Sequence, residues 1–204
     1  NGSSEEFLSW LKTLEEQGAP DATMILYFVT HQLSDGSFKF SKGSDLPAAD
    51  FLDAVNRLAR RYDRVILIDD CCYGAVLEGS GKFYENVVRI YAASAEEEAF
   101  NLRFGKGPYG FDKFVEKERA WLKEKMGWGP PGMTFLGLIG LKSALDISKN
   151  PEHSMGLGLQ TLFRRMSADR DLYDESIRQK KVQHILLVPP TADFEILVRR
   201  DDGR

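Results

Sequence analysis

Apolar residues Phe7, Leu8, Trp10, Leu11 and Leu14 recur at helical spacing, which predicts an amphipathic helix over residues 5–17. Ser3 or Ser4 caps it, and Gly18 with Pro20 ends it. Residues 23–30 are a nearly unbroken, β-rich apolar run, the pattern of a strand buried on both faces of a parallel sheet. A turn at Ser34, Asp35, Gly36 and Ser37, with Phe38 and Phe40 alternating behind it, predicts a small hairpin. A second helix starts at 45–47 and runs to Tyr62, with Phe51, Leu52, Val55, Leu58 and Ala59 along one face. Residues 65–69 form the next strand. Strand, helix and strand in succession make a crossover between parallel strands.

Further along, the pattern predicts a strand over 87–94, a helix over 96–104 and a charged amphipathic helix over 111–126. Glu96, Glu97 and Glu98 suit the N-terminal turn of a helix, where the dipole favours acids. Trp128, Gly129, Pro130, Pro131 and Gly132 form a breaker. Helices are expected over 134–148, weakened by Gly137 and Gly140, and over 157–166. A strand over 183–188 is stopped by Pro189 and Pro190, and an alternating edge strand follows over 193–199. The expected fold class is α/β: one domain over residues 1–204, a three-layer α/β/α sandwich with a mainly parallel sheet. Residues 105–170 form a helical insertion or extension within it.

Composition narrows the function classes. The 204 residues hold 27 basic and 31 acidic side chains in mixed order, a net charge of −4, which lacks the clustered Lys and Arg of a nucleic-acid footprint. No apolar run approaches the ~18 residues of a membrane span, so neither nucleic acid nor membrane is an expected partner. The two cysteines are adjacent and do not suit an ordinary structural disulfide, which points to a reducing, cytoplasmic setting.

The chemistry gathers where the strand over 65–69 runs out. Ile68 is followed by Asp69, Asp70, Cys71, Cys72, Tyr73, Gly74 and Ala75. In open α/β sheets, sites form at the carboxyl ends of strands. A cysteine nucleophile needs a base, because its thiol is mostly protonated at neutral pH. Of the three histidines, His153 lies in a polar loop and His184 opens a strand. Only His31 follows a buried strand as the cysteines do, so His31 is the candidate base. Main-chain N–H groups from the nucleophile and from the turn after His31, at Gln32, would stabilise an oxyanion. No ligand pair has metal spacing, and no cofactor is expected.

These stretches resemble the caspase-like cysteine peptidases of clan CD, most closely metacaspases and bacterial caspase-like proteins. In that family an apolar strand ends in His, and the next ends in Asp-x-Cys followed by small residues. Here Asp70, Cys71, Cys72, Tyr73, Gly74 and Ala75 are similar to that second motif. Residues 88–94, followed by Glu96 to Ala99, are similar to the family's Ala-Ser segment with trailing Glu and Ala. The resemblance covers roughly residues 5–100. It implies a cysteine endopeptidase with His31 as base and Cys72 as nucleophile. It also implies Asp70, with Gln32 and Ser94, at the substrate, and a preference for Arg or Lys at P1. The partner is then a protein or peptide substrate.

Cys71 is the alternative nucleophile, since Asp69-x-Cys71-x-x-Gly74 also satisfies the pattern, but it sets bulky Tyr73 where the family keeps a small residue. Gln32 stands where the family has Gly, and Val29 and Thr30 stand where it has Ser-Gly. Those changes leave open a catalytically inactive pseudo-protease acting as a binding or assembly module. A third possibility is an unrelated α/β domain with redox or structural cysteines. About two dozen residues precede the histidine strand, too few for the family's first strand, helix and strand. The chain is therefore expected to be a piece of a longer protein or a reduced fold, or to fill that place with another segment. A regulatory protein or the missing N-terminal segment is a further expected partner.

Overall fold

The computed structural model describes residues 2–99, 101–103, 120–121, 123–124, 132–134, 136–137, 156–168, 184–192 and 195–198. The first helix, α1 (Ser4–Gln17), is opened by a capping box: the Ser3 hydroxyl accepts from the Glu6 N–H, and the Glu6 carboxylate accepts from the Ser3 N–H. Strand β1 (Ala19–Phe28) follows. A hairpin of β2 (His31–Gln32) and β3 (Phe38–Lys39) turns through Gly36 at φ 83°, with the Asp35 carboxylate accepting from the Ser37 N–H at 2.9 Å. Helix α2 (Ala48–Ala59) starts after Pro47, later than the sequence suggests, and ends three residues before Tyr62. Tyr62 instead opens β4 (Tyr62–Asp69). A 3₁₀ turn over Gly74–Gly79 leads towards β5 (Val87–Tyr91). The later elements are β6 (Asn101–Arg103), β7 (Gly132–Thr134), β8 (Gly156–Gly158), α3 (Leu159–Ala168), β9 (Leu186–Val188) and β10 (Glu195–Val198).

The central sheet has the order β1-β4-β5-β9. β1, β4 and β5 are parallel, and β9 runs antiparallel to β5. The molecule is thus mixed α/β with a mainly parallel central sheet. One face of the sheet lies under α1 and α2. Leu26, Phe28, Val65, Leu67, Val87 and Tyr91 pack there with Leu11, Phe51, Val55 and Leu58. Phe7, Phe28, Phe38 and Phe51 stack into one aromatic cluster, with Phe38 and Phe51 rings 4.7 Å apart. The buried rings of Phe28, Phe38 and Phe51 contribute about 1.5–3 kcal/mol each.

β1 is not buried on both faces as expected. Its outward residues Ile25 and Tyr27 are 50% and 52% exposed, while Ile66, Val88, Ile90 and Leu187 on the same side of the sheet are buried. The cause is position. Among the described residues β1 pairs with β4 alone, and α1 and α2 cover only its inner face, so every second side chain meets solvent. Unbroken hydrophobicity does not distinguish this edge from a strand covered on both sides.

Other expectations shift as well. Residues 95–99 and 101–103 are not helical: the former are irregular, and the latter form β6, which pairs with β7. Thr134 ends β7 instead of starting a helix. The last strand, β10, pairs with β8 in a separate two-stranded sheet. The expected helix over 157–166 is present from Leu159 as α3, while residues 157–158 belong to β8. The expected helices over 111–126 and 134–148 lie mostly outside the described residues, as does His153. Among the described residues no helix is long and apolar enough to cross a membrane.

Candidate active site

The carboxyl ends of β1, β4 and β5 share one rim because the three strands are parallel and in register, with Phe28 opposite Asp69 and Asp69 opposite Tyr91. β4 alternates inward through Val65, Leu67 and Asp69, and the alternation carries Cys71 into the core, 1% exposed. There the Cys71 sulfur accepts from the Thr30 N–H at 3.3 Å and its thiol lies 3.7 Å from the Phe28 carbonyl. Burial pushes this thiol far above its usual range, and the neighbouring Asp69 carboxylate adds to the shift. Cys71 is therefore a poor nucleophile and acts as a tie between the ends of β1 and β4.

Two chain neighbours stand beside that tie. His31 is one residue beyond Thr30, and Cys72 is one residue beyond Cys71, so both flank the same contact. Cys72 is half-buried and its thiol points to the Ala99 carbonyl at 3.9 Å. His31 is exposed, and its ring makes no hydrogen bond or ion pair with a described residue. Neither cysteine is in a disulfide.

Asp70 turns to the other face of the sheet. It is 3% exposed, and the Tyr27 hydroxyl donates to its Oδ2 at 2.6 Å. Asp69 is fully buried against Gly74, Tyr91 and Cys71, and burial pushes its carboxyl up to about 7. Gly74 is small for a reason: a Cβ there would lie 3.2 Å from the Tyr91 ring and 3.4 Å from the Asp69 carboxylate. Gln32 is buried, with its side-chain amide donating to the Gly36 carbonyl at 3.3 Å. That side chain is committed to its own hairpin, and the main chain of Gln32 runs in β2 opposite Phe38. Ser94 is also occupied locally: its N–H donates to the Glu97 carboxylate at 3.2 Å, and its hydroxyl accepts from the Glu96 N–H at 3.4 Å.

The turn after Cys72 is anchored by groups the sequence reading passed over. Tyr73 sits at φ 57°, the only non-glycine positive φ among the described residues, and its N–H donates to the Glu97 carbonyl at 2.7 Å. Below it, Glu78 on the 3₁₀ turn takes a bidentate pair from Arg89 at 3.0 and 2.9 Å and a hydrogen bond from the Tyr91 hydroxyl at 2.5 Å. Burial opposes the Glu78 charge, but the Arg89 and Tyr91 bonds outweigh it and hold its carboxyl below the usual range. The signal for this pair was present: Arg89 interrupts an otherwise apolar strand and needs a buried partner. His184 is also on this rim, since it precedes β9, whose Leu186 registers with Tyr91. Its Nδ1 pairs with Glu97 at 2.5 Å.

Among the described residues no three potential metal ligands come together. No protein-family model matches the chain, and no curated protein sequence matches it.

Proposed function

We propose that this chain is a cysteine endopeptidase of caspase-like type, with Cys72 as nucleophile and His31 as general base. The observation that supports this is the Thr30–Cys71 contact: His31 and Cys72 are each one residue beyond it in the chain, and Cys71 is buried. The resemblance of the two motifs to clan CD peptidases supports it. In the proposed reaction His31 takes the Cys72 proton and the thiolate attacks the peptide carbonyl. His31 then returns the proton to the leaving amine, and water hydrolyses the thioester. Main-chain N–H groups of Cys72 and Gln32 are the proposed donors to the oxyanion. Asp70, oriented by Tyr27, is the proposed acid for a P1 Arg or Lys, where a carboxylate meets a guanidinium in a directional pair.

The test is cleavage of peptides with Arg, Lys, Asp or Leu at P1 by the wild type and by Cys72→Ala, Cys71→Ala and His31→Ala. Loss with Cys72→Ala and His31→Ala, but not with Cys71→Ala, is the expected result. Unchanged cleavage in Cys72→Ala sinks the proposal. A second reading, an inactive pseudo-protease serving as a binding or assembly module, draws on the Cys72 thiol facing the Ala99 carbonyl. It predicts no cleavage by the wild type and slow alkylation of Cys72 near neutral pH.

A further inference from the structure

The stretch from Ser94 to Ala99 folds back over the rim and touches the nucleophile turn at several points. The Glu97 carbonyl takes the Tyr73 N–H at 2.7 Å, the Ala99 carbonyl faces the Cys72 thiol at 3.9 Å, and the Tyr73 hydroxyl reaches the Glu98 carboxylate at 3.5 Å. This stretch is irregular, and its internal bonds are few: Glu97 N–H to the Ser94 carbonyl at 3.4 Å, Glu96 N–H to the Ser94 hydroxyl at 3.4 Å and Ser94 N–H to the Glu97 carboxylate at 3.2 Å. Its position is also set from outside. Both oxygens of the Glu97 carboxylate meet His184: the His184 N–H donates to Oε2 at 2.9 Å, beside the Ser94 N–H at 3.2 Å, and His184 Nδ1 lies 2.5 Å from Oε1. His184 is in turn placed by the sheet, because Ile185 beside it is buried and Leu186 registers with Tyr91.

We propose that Glu97 and His184 are positioning residues for Cys72: a clasp from β9 that holds the strained Tyr73 turn and so aims the thiol. The assignment rests on Cys72 being the nucleophile. The causal chain is short. A non-glycine residue in the left-handed region persists only where its surroundings hold it. At Tyr73 the Val76 N–H holds the carbonyl at 2.9 Å from within the turn, and the Glu97 carbonyl holds the N–H at 2.7 Å from across the rim, where the bonds of its carboxylate to His184 help to fix it. Two hydrogen bonds to a carboxylate from one residue fix orientation as well as distance. Residues over 94–99 are therefore drawn out of a helical path because both ends of Glu97 are used across the rim. His184, distant in sequence, couples the closing strand of the sheet to the reactive thiol.

Two readouts on the 204-residue chain test this. The first is hydrogen exchange at the Tyr73 amide, with the Leu67 amide in β4 as the internal reference. The second is the ratio of Cys72 alkylation rates by a peptidyl chloromethyl ketone and by iodoacetamide, since only the former requires an aimed thiol. His184→Ala is expected to speed Tyr73 exchange and lower the ratio by about tenfold each, the size of a lost charge-assisted hydrogen bond, while Leu67 is unaffected. His184→Asn, whose amide offers a donor near the Nδ1 position, is expected to restore most of both. Glu97→Gln, which keeps the shape with one acceptor oxygen, is expected to fall between them. Unchanged Tyr73 exchange in both His184→Ala and Glu97→Gln overturns the clasp. So does faster exchange with an unchanged alkylation ratio, or His184→Asn behaving like His184→Ala. If instead Cys72→Ala leaves peptide cleavage unchanged, the peptidase reading fails, and the clasp is then decided by Tyr73 exchange alone.

Discussion

Cys71 and Cys72 are chain neighbours, yet the first is tied to β1 through Thr30 and Phe28, and the second leans over the loop after β5 towards Ala99. On the β1 side the contacts are buried and the thiol is held neutral. On the β5 side the thiol is half-exposed, and the backbone beside it is bent into the left-handed region at Tyr73. The difference shows how one strand end serves two purposes. The inward step of the β4 alternation closes the core, and the next residue, released from that alternation, is available for chemistry.

The largest effect should come from exchanging the two thiols' fates. Cys72→Ala is expected to lower peptide cleavage by at least about a thousandfold, as loss of a nucleophile does. Cys71→Ala should leave cleavage within about tenfold of wild type, the modest loss reflecting a looser tie between β1 and β4. Initial rates on a fluorogenic peptide measure both. Equal losses in the two variants would erase the distinction between the two sides.

Next in size is a pH effect centred on Asp69, which lies beside the Cys71 thiol. Its folded-state value of about 7 stands above the ordinary 3.8. Between those values the folded chain holds a proton that the unfolded chain has released, so stability falls as pH rises from about 4 to about 7 and is flat above. The slope reaches roughly 1.4 kcal/mol per pH unit for a single proton. Urea midpoints at pH 4.5, 5.5 and 7.5 should therefore decline for the wild type and decline less for Asp69→Asn. Parallel profiles for the two proteins would remove Asp69 as the source.

How much of this was legible in the chain depends on where each residue's partner lies. Helix α1 and its cap were readable because Ser3 and Glu6 are within one turn of each other. The rim holding His31 and Cys72 was readable because successive parallel strands end on the same side. The exposure of Ile25 and Tyr27 was not, since an edge strand and a central strand share one hydrophobic pattern. Nor was the irregular course of 95–99, where local preference for a helix yields to Glu97 bonding His184, 87 positions away in sequence. Cys71's burial was readable in principle: Val65, Leu67, Asp69 and Cys71 fall on one side of a period of two.

A smaller effect separates the buried thiol from mere filler. Cys71→Ala removes the acceptor for the Thr30 N–H and leaves a small void, which should cost about 1–2 kcal/mol in chemical denaturation at neutral pH. A cost near zero would mean that Thr30 finds water or another acceptor, and that the β1 side is less tightly tied than its burial suggests.

The smallest effect concerns the backbone on the other side. Tyr73 pays for a left-handed conformation at φ 57°, a strain of about 1 kcal/mol for a residue with a Cβ. Tyr73→Ala keeps that strain and loses the weak contact with Glu98 at 3.5 Å. Tyr73→Gly relieves the strain, but glycine's extra unfolded-state freedom offsets roughly half of the gain or more. Tyr73→Gly should therefore be the more stable of the two by about 0.5 kcal/mol, reversing the usual order in which alanine exceeds glycine. At the same time the glycine turn is less rigid, so cleavage should fall a fewfold further in Tyr73→Gly than in Tyr73→Ala. Stability and activity moving in opposite directions within this pair would show that strain at Tyr73 is retained because a fixed turn aims Cys72. If alanine gives both the higher stability and the higher rate, the turn needs no such hold, and the β5 side differs from the β1 side in burial alone.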